Sequence, residues 1–136
     1  MQTYGLEYWG KEDFVIEGGL VKLNVGSKPS LMEIVMELRE QGFKGPLLLR
    51  FPHLIEKQVK ELFNMFSNAI NQYHYSGAFK AVFPLKVNHM PHFVLPLVEI
   101  SKAFKGHYGL EAGSKAELIL AMSYIQEGAT HHGQWL

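Results

Sequence analysis

The chain has 136 residues, 47% of them hydrophobic, which is the length of about one domain with enough apolar material for a core. Its 13 Lys and Arg balance its 13 Asp and Glu, with neither a basic run nor an acidic tail, so the charge pattern gives no reason to expect nucleic acid as a partner. The absence of cysteine excludes a disulfide framework, a thiolate zinc site or a cysteine nucleophile within the chain. Met1 to Gly5 shows no basic region leading into an apolar run, and no apolar stretch approaches the ~20 residues that span a bilayer. The expectation is a soluble, cytoplasmic protein with no membrane partner.

In chain order, Phe14-Val15-Ile16 and Leu20-Val21-Lys22-Leu23 are β-prone runs around Gly18-Gly19, which predicts a hairpin. Ser30 with Glu33 three residues on predicts a capping box, opening a helix with Leu31, Ile34, Val35 and Leu38 on one face and Gly42 just past its end. Pro46 to Phe51 is a short apolar run between Gly45 and Pro52, which suits a buried strand. Leu54, Val59, Leu62, Phe63, Phe66 and Ile70 recur at helical spacing and predict a long amphipathic helix ending near Tyr73.

Phe79 to Lys86 predicts the next strand. A helix over Pro91 to Phe104 follows, with Pro91 and Pro96 in its first turns, and then a short strand over His107 to Glu111. Ser114 and Glu117 form a second capping-box pattern, opening a last helix whose apolar stripe is Leu118, Ile119, Met122 and Ile125. From Pro46 the order is strand-helix three times over, which implies an α/β fold with parallel strands and right-handed crossovers. The pattern does not by itself separate a doubly wound sheet from a (β/α)₈ barrel.

Lys86 is the leading candidate for chemistry, because it sits at the C-terminal end of an apolar strand, where α/β folds place their sites. Burial among Phe83, Pro84, Leu85 and Val87 would favour a neutral, nucleophilic amine. From position alone, a lysine with its head in water is the commoner case. Glu111 ends the following strand and is placed to face the same pocket, or to cap or pair instead. Asn88 either hydrogen-bonds near a ligand or closes a turn. Ser114 fits a capping role better than a ligand contact. His89 and His92 have a metal-like HxxH spacing without an evident third ligand, so no metal site is identified. His53, at a strand-helix junction, reads as a capping or surface group.

Pro84-Leu85-Lys86-Val87-Asn88 resembles the cofactor-lysine motif of biosynthetic arginine decarboxylases, Pro-Ile/Leu-Lys-Val-Asn. Tyr4-Gly5 with Trp9-Gly10, Glu37-Leu38-Arg39, Gly45 to Pro52, and Tyr108 to Lys115 resemble the same family in order and spacing. The resemblance runs to about Gly128, and the Helicobacter- or Campylobacter-like branch is the nearest. It implies a (β/α)₈ barrel with an attached β-domain, of which this chain holds an N-terminal hairpin and helix segment (1–45) and the first βα units (46–128), the barrel being incomplete.

The resemblance further implies that Lys86 holds pyridoxal 5′-phosphate as an internal aldimine, with Glu111 and, more weakly, Asn88 near the cofactor. L-arginine would be converted to agmatine and carbon dioxide, a lyase step in polyamine and spermidine biosynthesis. Full-length members form homo-oligomers and also use Mg²⁺. Where family members commonly carry Gln, this chain has His89, and no function is carried onto it.

After Glu127-Gly128-Ala129 the family continues Pro-Ile-Thr-Val-Asn-Gly-Phe, whereas this chain ends Thr130-His131-His132-Gly133-Gln134-Trp135-Leu136. Codons for Ile-Thr-Val-Asn-Gly-Phe, preceded by one C and read in another frame, spell His-His-Gly-Gln-Trp-Leu. The expectation is an aberrant, frameshifted tail over 129–136. The family's phosphate-binding glycines, the acidic partner of the pyridine nitrogen and the residues that grip the guanidinium would then fall outside the chain. The isolated chain is expected to be inactive and poorly stable. The alternatives are a small non-catalytic α/β interaction module and a standalone cofactor carrier.

Overall fold

The computed structural model describes residues 5–10, 12–104 and 106–124. The chain divides into two compact units, Met1–Arg50 and Phe51–Leu136. The expected aberrant tail, and Ile125 of the last helix's stripe, lie outside the described residues.

In the first unit, a short helix α1 (Leu6–Trp9) leads into an antiparallel hairpin of β1 (Phe14–Glu17) and β2 (Leu20–Leu23). Glu17 pairs with Leu20, so Gly18 and Gly19 alone make the turn. Their φ values of 61° and 77° lie where residues with a Cβ are strained, which is why the two-residue loop needs both glycines. Glu17 reaches Lys22 and Lys28, each at 3.3 Å.

Helix α2 (Leu31–Glu40) opens on the predicted capping box. Glu33 N–H donates to Ser30 Oγ at 3.0 Å, and Ser30 N–H donates to the Glu33 carboxylate at 2.7 Å. Ser30 is fully buried, so this reciprocal pair satisfies polar groups that water does not reach. The helix closes with two bonds, Gly42 N–H to Arg39 C=O and Phe43 N–H to Leu38 C=O, a Schellman ending with Gly42 at φ 92°. Leu31, Ile34, Val35 and Leu38 are the half-buried face, as their spacing predicts.

The expected strand over Pro46 to Phe51 does not form. This stretch is irregular, and Leu48 is 74% exposed. A strand exists only through its ladder, and among the described residues no backbone pairs with this run.

The second unit runs α3 (Pro52–Gln72), β3 (Ala81–Pro84), α4 (Pro91–Ser101), a 3₁₀ turn (Lys102–Phe104), β4 (Tyr108–Glu111) and α5 (Lys115–Tyr124). β3 and β4 are parallel, in register from Ala81↔Tyr108 to Pro84↔Glu111, with α4 as the crossover between them. α3 starts with Pro52 at its first position and ends in a second Schellman pattern, His74 N–H to Asn71 C=O and Tyr75 N–H to Ile70 C=O. Pro96 sits at the sixth position of α4, where it withholds the N–H that the His92 carbonyl would otherwise accept.

Two apolar clusters hold this unit. Leu85, Val94, Leu110, Ala121 and Tyr124 make one; Val59, Phe63, Leu97 and Ile100 make the other, and Phe83 packs against both. α4 therefore contributes to each.

The stripe expected on α5 is the wrong face. Leu118, Ile119 and Met122 are exposed, while Ala121 and Tyr124 are buried and Leu120 is half-buried. α5 is apolar almost all round, so periodicity selects no face. Small Ala121 seats fully against the core instead.

Glu17 and Glu33 are both held below the ordinary glutamate range, Glu17 by hydrogen bonds from Lys28 and then Lys22, Glu33 by the Ser30 N–H. A carboxylate with a lowered folded value stabilises above its unfolded pKa and loses that contribution as pH falls. Acidification through and below about pH 4.3 therefore weakens the hairpin-helix unit. Amide NMR signals of residues 14–40 report this, and Glu17→Gln with Glu33→Gln flattens the slope. Ser30→Ala costs about 1 kcal/mol of that unit's stability by loss of the cap, read by denaturant titration.

Candidate functional site

Lys86 is carried on a turn immediately after β3. Val87 N–H donates to Pro84 C=O at 3.1 Å, which closes a four-residue turn with Lys86 at its third position. Leu85 N–H donates to Glu111 C=O at 3.0 Å, so the bonding between the two strands runs one residue past the end of β3. Leu85 itself has no exposed surface. The residue before the lysine is thus anchored twice, by its side chain in the core and by its N–H on the neighbouring strand.

The structure brings Lys86 and Glu111 to one C-terminal edge. Ala81, Phe83, Tyr108 and Leu110 pack against the helical clusters. Strand alternation therefore turns Val82, Pro84, Gly109 and Glu111 to the opposite face, which is open enough that Val82 is 52% exposed. Glu111 is half-buried and Lys86 is exposed. Neither side chain has a hydrogen-bond or ion-pair partner among the described residues. The apolar enclosure expected around the amine is therefore absent here: Leu85 points into the core, and Val87 is exposed.

Asn88 closes a turn, with its Oδ1 accepting the Met90 N–H at 3.1 Å just before α4. Ser114 caps α5 by accepting the Glu117 N–H at 3.2 Å. The Glu117 carboxylate accepts from Gly113 N–H at 2.7 Å, one residue earlier than a capping box requires. His89 and His92 are exposed, and the described residues contain no group of three or more potential His, Cys, Asp or Glu metal ligands. His53 is exposed in the first turn of α3, its ring 6.2 Å from that of Phe51.

Tyr124 is the contributor that the sequence reading misses. Its buried hydroxyl donates to the His89 carbonyl at 3.1 Å, tying the end of α5 to the loop after Lys86. A tyrosine in a helix rich in Leu, Ile and Ala was the available signal, since a buried phenol needs a partner.

A cleft of about 550 Å³ lies at the other end of the strands, lined in part by Phe63, Asn71, Phe79, Phe104 and His107. His107 Nδ1 is 3.0 Å from the Phe79 carbonyl, to which a protonated Nδ1 donates. Phe63 stacks on Phe104 at 4.1 Å, and burial raises the nearby Tyr108 phenol above its ordinary pKa. None of the residues expected to carry chemistry lines this cleft.

No family model matches the chain. Individual relatives do. Over 129 residues, 91% of the chain, it is 41% identical to a biosynthetic arginine decarboxylase of Prochlorococcus marinus. It is 38% identical over 130 residues to that of Tolumonas auensis. The crystal structure of the biosynthetic arginine decarboxylase SpeA from Campylobacter jejuni superimposes with a TM-score of 0.87 at 53% identity, covering 95% of this chain and 22% of that one. The chain is an α/β homologue of carboxy-lyases. More narrowly, its homologues are the biosynthetic arginine decarboxylases, and it spans about a fifth of the length of those curated relatives.

Exposure of Lys86 has a direct check. Under competitive labelling with an amine-reactive ester, Lys86 reacts faster than Lys22, whose side chain is 27% exposed and paired with Glu17. Peptide mass spectrometry gives the ratio, and a slower Lys86 would contradict its placement on the turn.

Proposed function

We propose that this chain carries the cofactor-lysine segment of an arginine decarboxylase. In this reading Lys86 holds pyridoxal 5′-phosphate, and the complete protein converts L-arginine to agmatine and carbon dioxide in the cytoplasm as a homo-oligomer. The supporting observation is the placement of Lys86: an exposed amine without a partner among the described residues, held one residue past a parallel ladder, beside the strand that ends in Glu111.

The residues fit such a cofactor. A primary amine is the group that bonds an aldehyde carbon, and a half-buried carboxylate on the next strand suits a cationic or hydrogen-bond-donating ring. When bound, pyridoxal phosphate supplies the electron sink for the pair left by departing carbon dioxide. The chain's own part is to present the amine. Leu85 fixes the main chain below it, and Asn88 orients the descent into α4. Glu111 adds negative charge at the open edge.

The βαβ unit of β3, α4 and β4 is read as the beginning of a (β/α)₈ barrel within 46–128. Such a barrel takes about 250 residues, more than this chain's 136. The walls that would exclude water from Lys86 therefore come from the remaining length of the complete protein, and the 136-residue chain alone does not decarboxylate arginine.

Adding pyridoxal phosphate to the wild-type chain and to Lys86→Ala, recording the visible band, and fixing the adduct with borohydride before peptide mapping tests the cofactor assignment. An adduct concentrated on Lys86 and lost in Lys86→Ala is expected. Adducts spread evenly over the surface lysines would sink it. Agmatine from arginine with the pure chain would overturn the inactivity.

A further inference from the structure

We infer that Tyr124 is a positioning residue for Lys86, acting through the carbonyl of His89. The functional meaning rests on the cofactor reading above; the mechanical claim does not.

The turn and the loop that follows it, Leu85 to Met90, are held at both ends but little in between. Leu85 is seated in the core and bonded to Glu111, and Met90 donates its N–H to Asn88 Oδ1 and accepts the first N–H groups of α4 from Phe93 and Val94. Lys86, Val87 and His89 are exposed, so no packing fixes them. Besides the Val87 N–H bond back to Pro84 at the end of β3, the described structure tethers this exposed span to another element through the Tyr124 hydroxyl on His89 C=O, 35 residues away in sequence.

Tyr124 is itself rigid. It is 9% exposed and belongs to the same apolar cluster as Leu85, Val94 and Ala121. One cluster therefore grips the lysine turn from two sides, through the Leu85 side chain before it and the Tyr124 phenol after it. A buried hydroxyl bonded to a main-chain carbonyl is suited to setting a loop's path whatever the loop's side chains are.

Tyr124→Phe keeps the ring in the core and deletes only the donor. Hydrogen exchange in the wild-type and variant chains is the test. Loss of one such bond lets the Val87 amide, which is bonded to Pro84 C=O, exchange about fivefold faster, while those of Tyr108 to Glu111 keep their rates. Unchanged exchange at Val87 overturns the inference.

The wild-type chain gives a second reading that needs no variant. Trypsin cuts after Lys86 more slowly than after Lys44, an exposed lysine in irregular chain; equal rates also overturn the inference. Titration with pyridoxal phosphate separates the two levels. Faster exchange with about fivefold weaker band formation supports positioning toward the cofactor. Faster exchange with an unchanged band refutes that functional role. Faster exchange with no Lys86-dependent band in either protein leaves the clamp standing and removes the cofactor reading instead.

Discussion

The hydrogen bond from Leu85 N–H to Glu111 C=O joins the two strands, the core and the candidate site in one place. A two-stranded parallel sheet has little stability of its own, so β3 and β4 persist because α3, α4 and α5 cover one face of them. Leu85 is the residue at which that cover meets the end of the ladder. Its side chain is fully enclosed, and its main chain is bonded across to β4. The next residue along is the lysine. The amine thus stands exposed next to a residue whose side chain and N–H are both anchored.

Local signals in the sequence were readable because their physics is local. The Gly18-Gly19 hairpin, the capping box of Ser30 and Glu33, and the Gly42 ending each depend on residues within a few positions of one another. The strand expected over Pro46 to Phe51 had the right composition, but pairing requires a partner that sequence composition does not supply. The face of α5 differs from its expected stripe for a related reason. When nearly every position is apolar, the buried side is decided by the neighbour's shape, and here Ala121 allows the close approach that Ile119 and Met122 do not.

Among the candidate residues, the placement of Lys86 and Glu111 at one edge was legible, because parallel strands bring their C-terminal ends together. The surroundings of Lys86 were not. Apolar neighbours in sequence suggested an enclosed amine, yet alternation and the turn send Leu85 inward and leave Val87 and the lysine outside. Flanking hydrophobicity reports the burial of the flanking residues and says little about the residue between them. Asn88 and Ser114 each accept a main-chain N–H at a helix entrance.

The two ends of the strand pair differ in kind. At the N-terminal end, Phe63, Phe79, Phe104 and Tyr108 interlock, with His107 bonded to the Phe79 carbonyl. At the C-terminal end the side chains are a lysine and a carboxylate, with exposed Val82 two residues back along β3. Water solvates the exposed amine well but gains nothing from Val82, which is 52% exposed on the same open face. The interlocked aromatic end holds the strands together, and the opposite face is left open.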